Sequence, residues 1–253
     1  ALSLCVLLAP WISPRPPGER DATLQAPARA HVLGTDDQGR DLLSRVFHGG
    51  RISLFIGFVS VTISLTVGGS VGLLTGYAGG KLDLVLMRGM DILLAFPSIL
   101  LAILIVNMFD RPGLLSAMIA VGVVGVPVYA RLVRASVLAE KARDYVTASI
   151  ACGASSPRVA ITHILPNVVA PILVQVTLGF GSAILDAAGL SFLGLGAQDP
   201  QIECGLMINQ ARSLYSTAWW TILFPGLAIF ISVLGFNLVG DGLREALDPR
   251  TST

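Results

Sequence analysis

Between Ile52 and Tyr77 the chain carries no formal charge. Coiled as an α-helix at ~1.5 Å per residue, that stretch reaches about 39 Å, more than the ~30 Å of hydrocarbon in a bilayer. Further apolar runs cover Ile92 to Phe109, Leu114 to Ala130, Val168 to about Leu193 and Trp219 to Val239, the third of them interrupted by Asp186. Trp219 and Trp220 stand where an interfacial aromatic belt would lie. Charged residues make up 13% of the chain, about half of the ~25% usual for soluble domains. Disorder requires the opposite composition, and a large soluble enzyme is equally hard to build from this one.

A shorter apolar run, Ala1 to Ile12, opens the sequence without an initiator methionine. It is too short to span, and it has neither a basic segment before it nor a small-residue cleavage site after it, so it reads as a trimmed transmembrane helix rather than a signal peptide. The expected fold is therefore all-α, a single polytopic domain over 1–253 with six transmembrane helices, the first one trimmed.

Polar residues gather in two long stretches. The first, 13–51, is rich in Pro, Arg and Asp; the second, 131–167, holds five bases against two acids, Glu140 and Asp144. With both termini on one side, the basic residues divide nine against eight, which sets no orientation. The positive-inside rule weights residues near helix ends, and on that basis 131–167 is placed in the cytoplasm and 13–51 outside the cell. A net charge of +1 leaves no footprint for nucleic acid. Cys5, Cys152 and Cys204 form neither a disulfide framework nor a zinc spacing.

Ser60, Ser64, Gly68, Gly72 and Gly76 recur every fourth residue, a small-residue stripe that lets another helix approach closely. Structural packing is the simpler reading; an interface that slides during transport is the functional one. Pro97, Pro127, Pro171 and Pro225 fall in or near the spans, where each frees backbone groups that neighbours must satisfy.

The segment from Asp144 to Asn167 has the pattern of a helix, a turn and a second helix start. Small residues fill Thr147 to Ala151, Gly153 suits a left-handed C-cap, and Ser156 followed by Pro157 suits N-cap and N1. Ala148 and Ser149 would let such an element sit in a groove on a partner, with Arg143 and Arg158 pairing acids there. An amphipathic segment lying on lipid headgroups fits the same residues.

Ala148, Gly153, Leu165 and Pro166 resemble the EAA loop of ABC importer permeases, with Thr147, Ser149 and His163 replacing the Glu, second Ala and Ile of that pattern. His31 to Asp41, Leu42 to Arg45, Arg51 to Leu54, Gly189 to Gly196, Phe224 to Ile229, Phe236 to Arg244 and Leu247 to Arg250 are similar to segments of the C-type permeases of dipeptide, oligopeptide and nickel importers. The resemblance implies the ABC type I importer permease fold and a peptide-transporting subunit with no covalent chemistry of its own. It implies a second homologous permease and two cytoplasmic ATPase subunits that bind ATP and Mg. One ATPase would dock on the loop carrying Arg143, Asp144, Tyr145, Ala148, Ser149, Gly153, Ser156, Pro157, Arg158, Leu165 and Pro166. It also implies a substrate-binding protein docking near 13–51 and 194–218, with membrane lipid around the rest. In that family a Glu often stands at the position of Ala187; here the acid is Asp186, one residue earlier and turned by about 100° on a helix.

No ATP site belongs to the chain itself, since Thr75 and Leu82 occupy the places where a phosphate-binding loop around Gly80-Lys81 needs Gly and Ser or Thr. His31, His48 and His163 read as loop histidines. The Asp36-to-Asp41 cluster could attract a cation, but Arg40 in its middle favours turn formation and helix capping. Asp186, Gln175 and Asn107 are the candidates for pathway lining or coupling, as polar residues inside apolar spans often are. For Asn107, Gln175 and Asn237 alike, interhelical hydrogen bonding is the simpler reading. An ion-coupled secondary transporter working through Asp186 is the alternative to the ATP-driven permease.

Overall fold

Asp41 starts one of the two 37-residue helices among the described residues. In the computed structural model, which describes residues 15–247, its carboxylate accepts the Ser44 backbone N–H at 2.9 Å and so caps α1, Leu42–Ala78. Gly79, at φ +66°, ends α1 and turns the chain into α2, Gly80–Leu94. α3 is Ser98–Val106, α4 Leu114–Lys141 and α5 the short Asp144–Ala151. α6, Ser156–Phe192, includes a π-helical turn at Val159–Ile164. α7, Cys204–Ala211, and α8, Trp220–Leu247, complete the described chain. The expected helix at Ala1 to Ile12, and the tail beyond Leu247, lie outside the described residues.

α1, α4, α6 and α8 are each long and apolar enough to span, and α2 with α3 makes a fifth candidate bent by 96°. The straight span expected from Ile92 to Phe109 is therefore broken. Pro97 has no N–H to continue the ladder, and its ψ of 131° is extended rather than helical. Lys81, Asp83 and Arg88 lie within α2. No residue of α2 is buried. It is tied to α4 by ions: Arg134 forks onto both Asp83 oxygens at 2.5 and 2.6 Å, and Arg131 meets Asp91 at 2.5 Å. The 131–167 stretch is likewise less of a loop than expected, because α4 continues helically to Lys141. Lys141 then donates to the Tyr77 carbonyl at 2.6 Å, placing a cation on the carbonyl end of α1.

The small-residue stripe is where α1 meets α4. Ser60 donates to the Met118 carbonyl at 3.0 Å and Ser64 to that of Gly122 at 2.6 Å. A Cβ on Gly72 would lie 2.5 Å from the Ala130 carbonyl oxygen, and one on Gly76 would lie 2.9 Å from Val137 Cβ. The backbones thus touch with no room for a methyl group, which is the packing reading of the stripe. Within its most apolar stretch α4 is 61% buried and α8 only 11%, so α4 is the central helix and α8 a peripheral one.

Residues 15–41 form a small cap over the adjacent ends of α1, α7 and α8. Asp36 organises it: one oxygen accepts the Gln38 and Arg40 N–H groups at 2.9 Å, and the other meets Arg45 at 2.6 Å and Arg40 at 2.7 Å. The acidic cluster therefore does turn and capping work, with guanidinium groups as its cations. Gly34, at φ +82°, passes so close to Trp220 that a Cβ there would sit 2.9 Å from the indole. Trp220 Nε1 donates to the Thr35 carbonyl at 3.2 Å.

His31, read from sequence as a loop residue, is buried between Asp41 at 2.9 Å and Asp21 at 3.3 Å. Asp21 also accepts the Ala22 N–H and meets Arg15. Those bonds, that of Ala22 foremost, then those of His31 and Arg15, hold its carboxyl below the usual 3.8. A depressed carboxylate stabilises the fold above its unfolded value and loses that contribution as pH falls through the folded one. Hydrogen exchange at Thr35, corrected for its intrinsic pH dependence, is therefore expected to accelerate below about pH 4. Asp21→Asn should show the weaker protection already at neutral pH; identical profiles for the two proteins would refute the linkage.

Candidate functional site

At the end of the molecule opposite the cap, α5 projects as a short arm. Asp144 occupies its first turn, where a carboxylate suits the helix N-terminus, and Gly153, at φ +84°, closes the turn that follows Cys152. Val146 is fully buried against Val133 and Val137 of α4 and Val159, Ile164 and Val168 of α6. A single side chain thus seats the arm, while Thr147, Ala148, Ile150 and Ala151 face outward.

The polar side of the seat is Glu140, on the last turn of α4. Its carboxylate accepts the Tyr145 hydroxyl at 2.6 Å and pairs with Arg143 at 3.0 Å. Asn167, on α6, donates to the Tyr145 oxygen at 3.1 Å and to the His163 carbonyl at 2.7 Å. Desolvation, then the hydrogen bond to the Glu140 carboxylate, pushes the Tyr145 phenol up from its ordinary value. Tyr145 therefore stays protonated at neutral pH and bridges three elements.

Other predicted loop residues fall in different places. Ser149 is half-buried, and Ser156, Pro157 and Arg158 are exposed. The N-cap is Ser155, one residue before the expected Ser156, so Pro157 takes the second helical position. Arg143, expected to await a partner's acid, already pairs with Glu140, though its side chain is 67% exposed. An exposed pair of that kind is worth little and exchanges readily. Leu165 and Pro166 belong to the base of α6 rather than to the arm; there the Leu165 N–H reaches back to the Ala160 carbonyl, the wider π pattern, just before Pro166 interrupts donation.

A second feature lies deeper. The break between α2 and α3, together with α4 and α6, encloses a cavity of about 230 Å³. Phe96 and Ser98 line it from the break, Tyr129 from α4, and Gln175, Ser182 and Asp186 from α6. Tyr129 lies across Gly179, where a Cβ would collide with its hydroxyl, and donates to the Gln175 carbonyl at 3.2 Å. Asp186 and Gln175 are thus brought together on one cavity wall. Asn107 is not: it lies at the end of α3, donates to its own Ile103 carbonyl at 2.8 Å and lines no part of the cavity. The one-residue offset of the acid matters, because Ala187 is buried in the helix core while Asp186 lines the cavity.

Sequence reasoning missed Glu140 as a hub, Val146 as the seat, Ile150 as an exposed apolar contact and Glu203. Glu203 is buried, caps α7 through the Gly205 and Leu206 N–H groups at 2.9 Å, and accepts Ser53 of α1 at 3.2 Å. Its signal was an acid directly before an apolar helix start; the partner on α1 had none.

Residues 68–253 match the family model described as binding-protein-dependent transport system inner membrane component. The di/tripeptide transport system permease protein DppC of Pseudomonas aeruginosa is 51% identical over 97% of this chain and 84% of its own. The dipeptide transport system permease protein DppC of Escherichia coli K12 is 50% identical over 96% and 84%. Among solved structures, an inward-facing conformation of the MetNI methionine ABC transporter superposes with a TM-score of 0.67 at 20% identity, over 82% of this chain and 98% of that one. An amino acid ABC transporter chain reaches 0.64 at 17% identity, over 81% and 95%. These likenesses give no support to an ion-coupled carrier working through Asp186.

Proposed function

Since the chain belongs to the family of binding-protein-dependent transport system inner-membrane components, a multi-pass permease subunit of a bacterial ATP-driven importer, we propose that it forms half of a pathway for dipeptides or oligopeptides. The other half is a second, related permease, two ATPase subunits dock on the cytoplasmic side, and a binding protein delivers the peptide on the outer side. In this reading 13–51 and 194–218 face outward, 131–167 faces the cytoplasm, and ATP and Mg are held by the ATPases alone.

The observation that carries the proposal is the path of α6. One helix, Ser156–Phe192, begins beside the arm that would dock on an ATPase and ends past the cavity that Gln175 and Asp186 line. ATP binding brings the two ATPases together and draws the arms with them; Val146 and the Tyr145 bridge pass that displacement to the base of α6, and the cavity changes the side to which it opens. The ligand biases two conformations according to its different affinity for each. No residue of this chain makes or breaks a covalent bond.

The test is reconstitution in vesicles with the cognate permease, ATPases and binding protein. Uptake of a labelled dipeptide is expected to require ATP and the binding protein and to survive collapse of the ion gradients. Uptake that ignored the ATPases, or a binding protein that retained only non-peptide solutes, would overturn the corresponding half of the reading.

A further inference from the structure

Among the described residues, Asp186 is the only charged one that lines the cavity. No hydrogen bond or ion pair within the described residues uses its carboxylate. Gln175, Gly179, Ser182 and Asp186 follow one another at intervals of four, three and four residues, which places them on one face of α6. The other polar groups on that wall are neutral. A carboxylate in such surroundings is expensive unless it takes up a proton or a cation joins it, and none of the described residues supplies that cation.

Its position along the helix says when that cation arrives. Asp186 lies six residues before Phe192, about 9 Å from the outer end of α6 at ~1.5 Å per residue, whereas Gln175 is about 25 Å in. A solute arriving from outside meets the acid first. A bare metal ion is poorly served there, since hard cations take six or more oxygen ligands and the wall offers one carboxylate among a few neutral groups. An ammonium group, with three N–H donors, suits one carboxylate and neighbouring hydroxyl and amide oxygens. The cavity volume is below the ~300–1,000 Å³ of a complete ligand site, as half of a pathway should be.

We propose that Asp186 is a specificity-determining residue that receives the free α-ammonium group of the peptide as it enters the permease. This rests on the peptide reading above. The transporter then tests the cargo twice, once in the binding protein and once in the membrane.

Two measurements on the complete reconstituted transporter test it. In the first, dipeptide uptake and binding-protein-stimulated ATP hydrolysis are compared among Asp186 variants. Asp186→Glu should keep most of the uptake, Asp186→Asn should lose roughly tenfold, and Asp186→Lys should lose more, with ATP hydrolysis retained in each. Uptake that did not follow the charge at position 186 would overturn the assignment. In the second, a water-soluble carbodiimide is added to the wild-type complex during turnover with a dipeptide. An amide between the peptide α-nitrogen and Asp186, found by mass spectrometry, is the expected result; no adduct at Asp186 would refute it whether or not the variants assemble. A wild-type complex that hydrolyses ATP but takes up no dipeptide would remove the peptide reading itself, and uptake driven by an ion gradient would make Asp186 an ion site instead.

Discussion

Leucine at position 72 is expected to cost the protein its folded state in the membrane. Gly72 sits where α1 and α4 touch backbone to backbone; the first added carbon would lie 2.5 Å from the Ala130 carbonyl oxygen and 2.8 Å from Val133 Cβ. Overpacking of a tight core costs about 1–3 kcal/mol when side chains can yield. Here the obstacle is main chain, so the helices must separate. Separation also breaks the Ser60 and Ser64 bonds to α4 carbonyls, which have no water to turn to. The effect should therefore exceed that range, and the detergent-solubilised variant should lose its monodisperse peak in size-exclusion chromatography. Gly69→Leu is the control, because a Cβ there meets only Leu65 Cδ1 at 3.7 Å. Equal behaviour of the two variants would show that the stripe is not a close-contact seam.

Tryptophan at position 148 is expected to leave the fold intact and to stop transport. Ala148 is exposed on the arm that faces the proposed ATPase, while Val146, on the opposite side, keeps the arm seated. A bulky ring at the centre of a fitted contact costs about 2 kcal/mol or more, or some thirtyfold in occupancy. The variant should insert and purify with the proposed second permease, bind the proposed ATPases weakly, and show uptake reduced by an order of magnitude or more. Normal uptake in vesicles would mean that the ATPase contacts a different part of the 131–167 segment.

The spans were legible because apolar length identifies them even where Asp186 interrupts one, and the Ser60-to-Gly76 stripe because a four-residue period survives in any context. Four prolines looked alike in the sequence. Three of them, Pro127, Pro171 and Pro225, sit inside continuous helices, and only Pro97 breaks one. Which outcome a proline has depends on what its neighbours can satisfy, and that is a property of the assembled bundle. The candidate arm was placed to within a residue by its Gly and Pro signals. Its seating was not, since Glu140, Tyr145 and Asn167 meet only when three elements converge. His31 follows the same logic: a histidine flanked by loop residues gave no hint that acids ten residues away on either side would enclose it.

The cap has a consequence for how the protein is made. Thr35 leaves the ribosome early, yet its carbonyl is matched by the indole of Trp220, 185 residues later. At ~5–20 residues per second, that interval lasts on the order of 10 s or more. Through that interval the segment around Gly34 lacks the indole that closes it. α8 is thus the helix that completes the cap, and a chain stopped before Trp220 would present an unfinished cap for quality-control proteases to recognise.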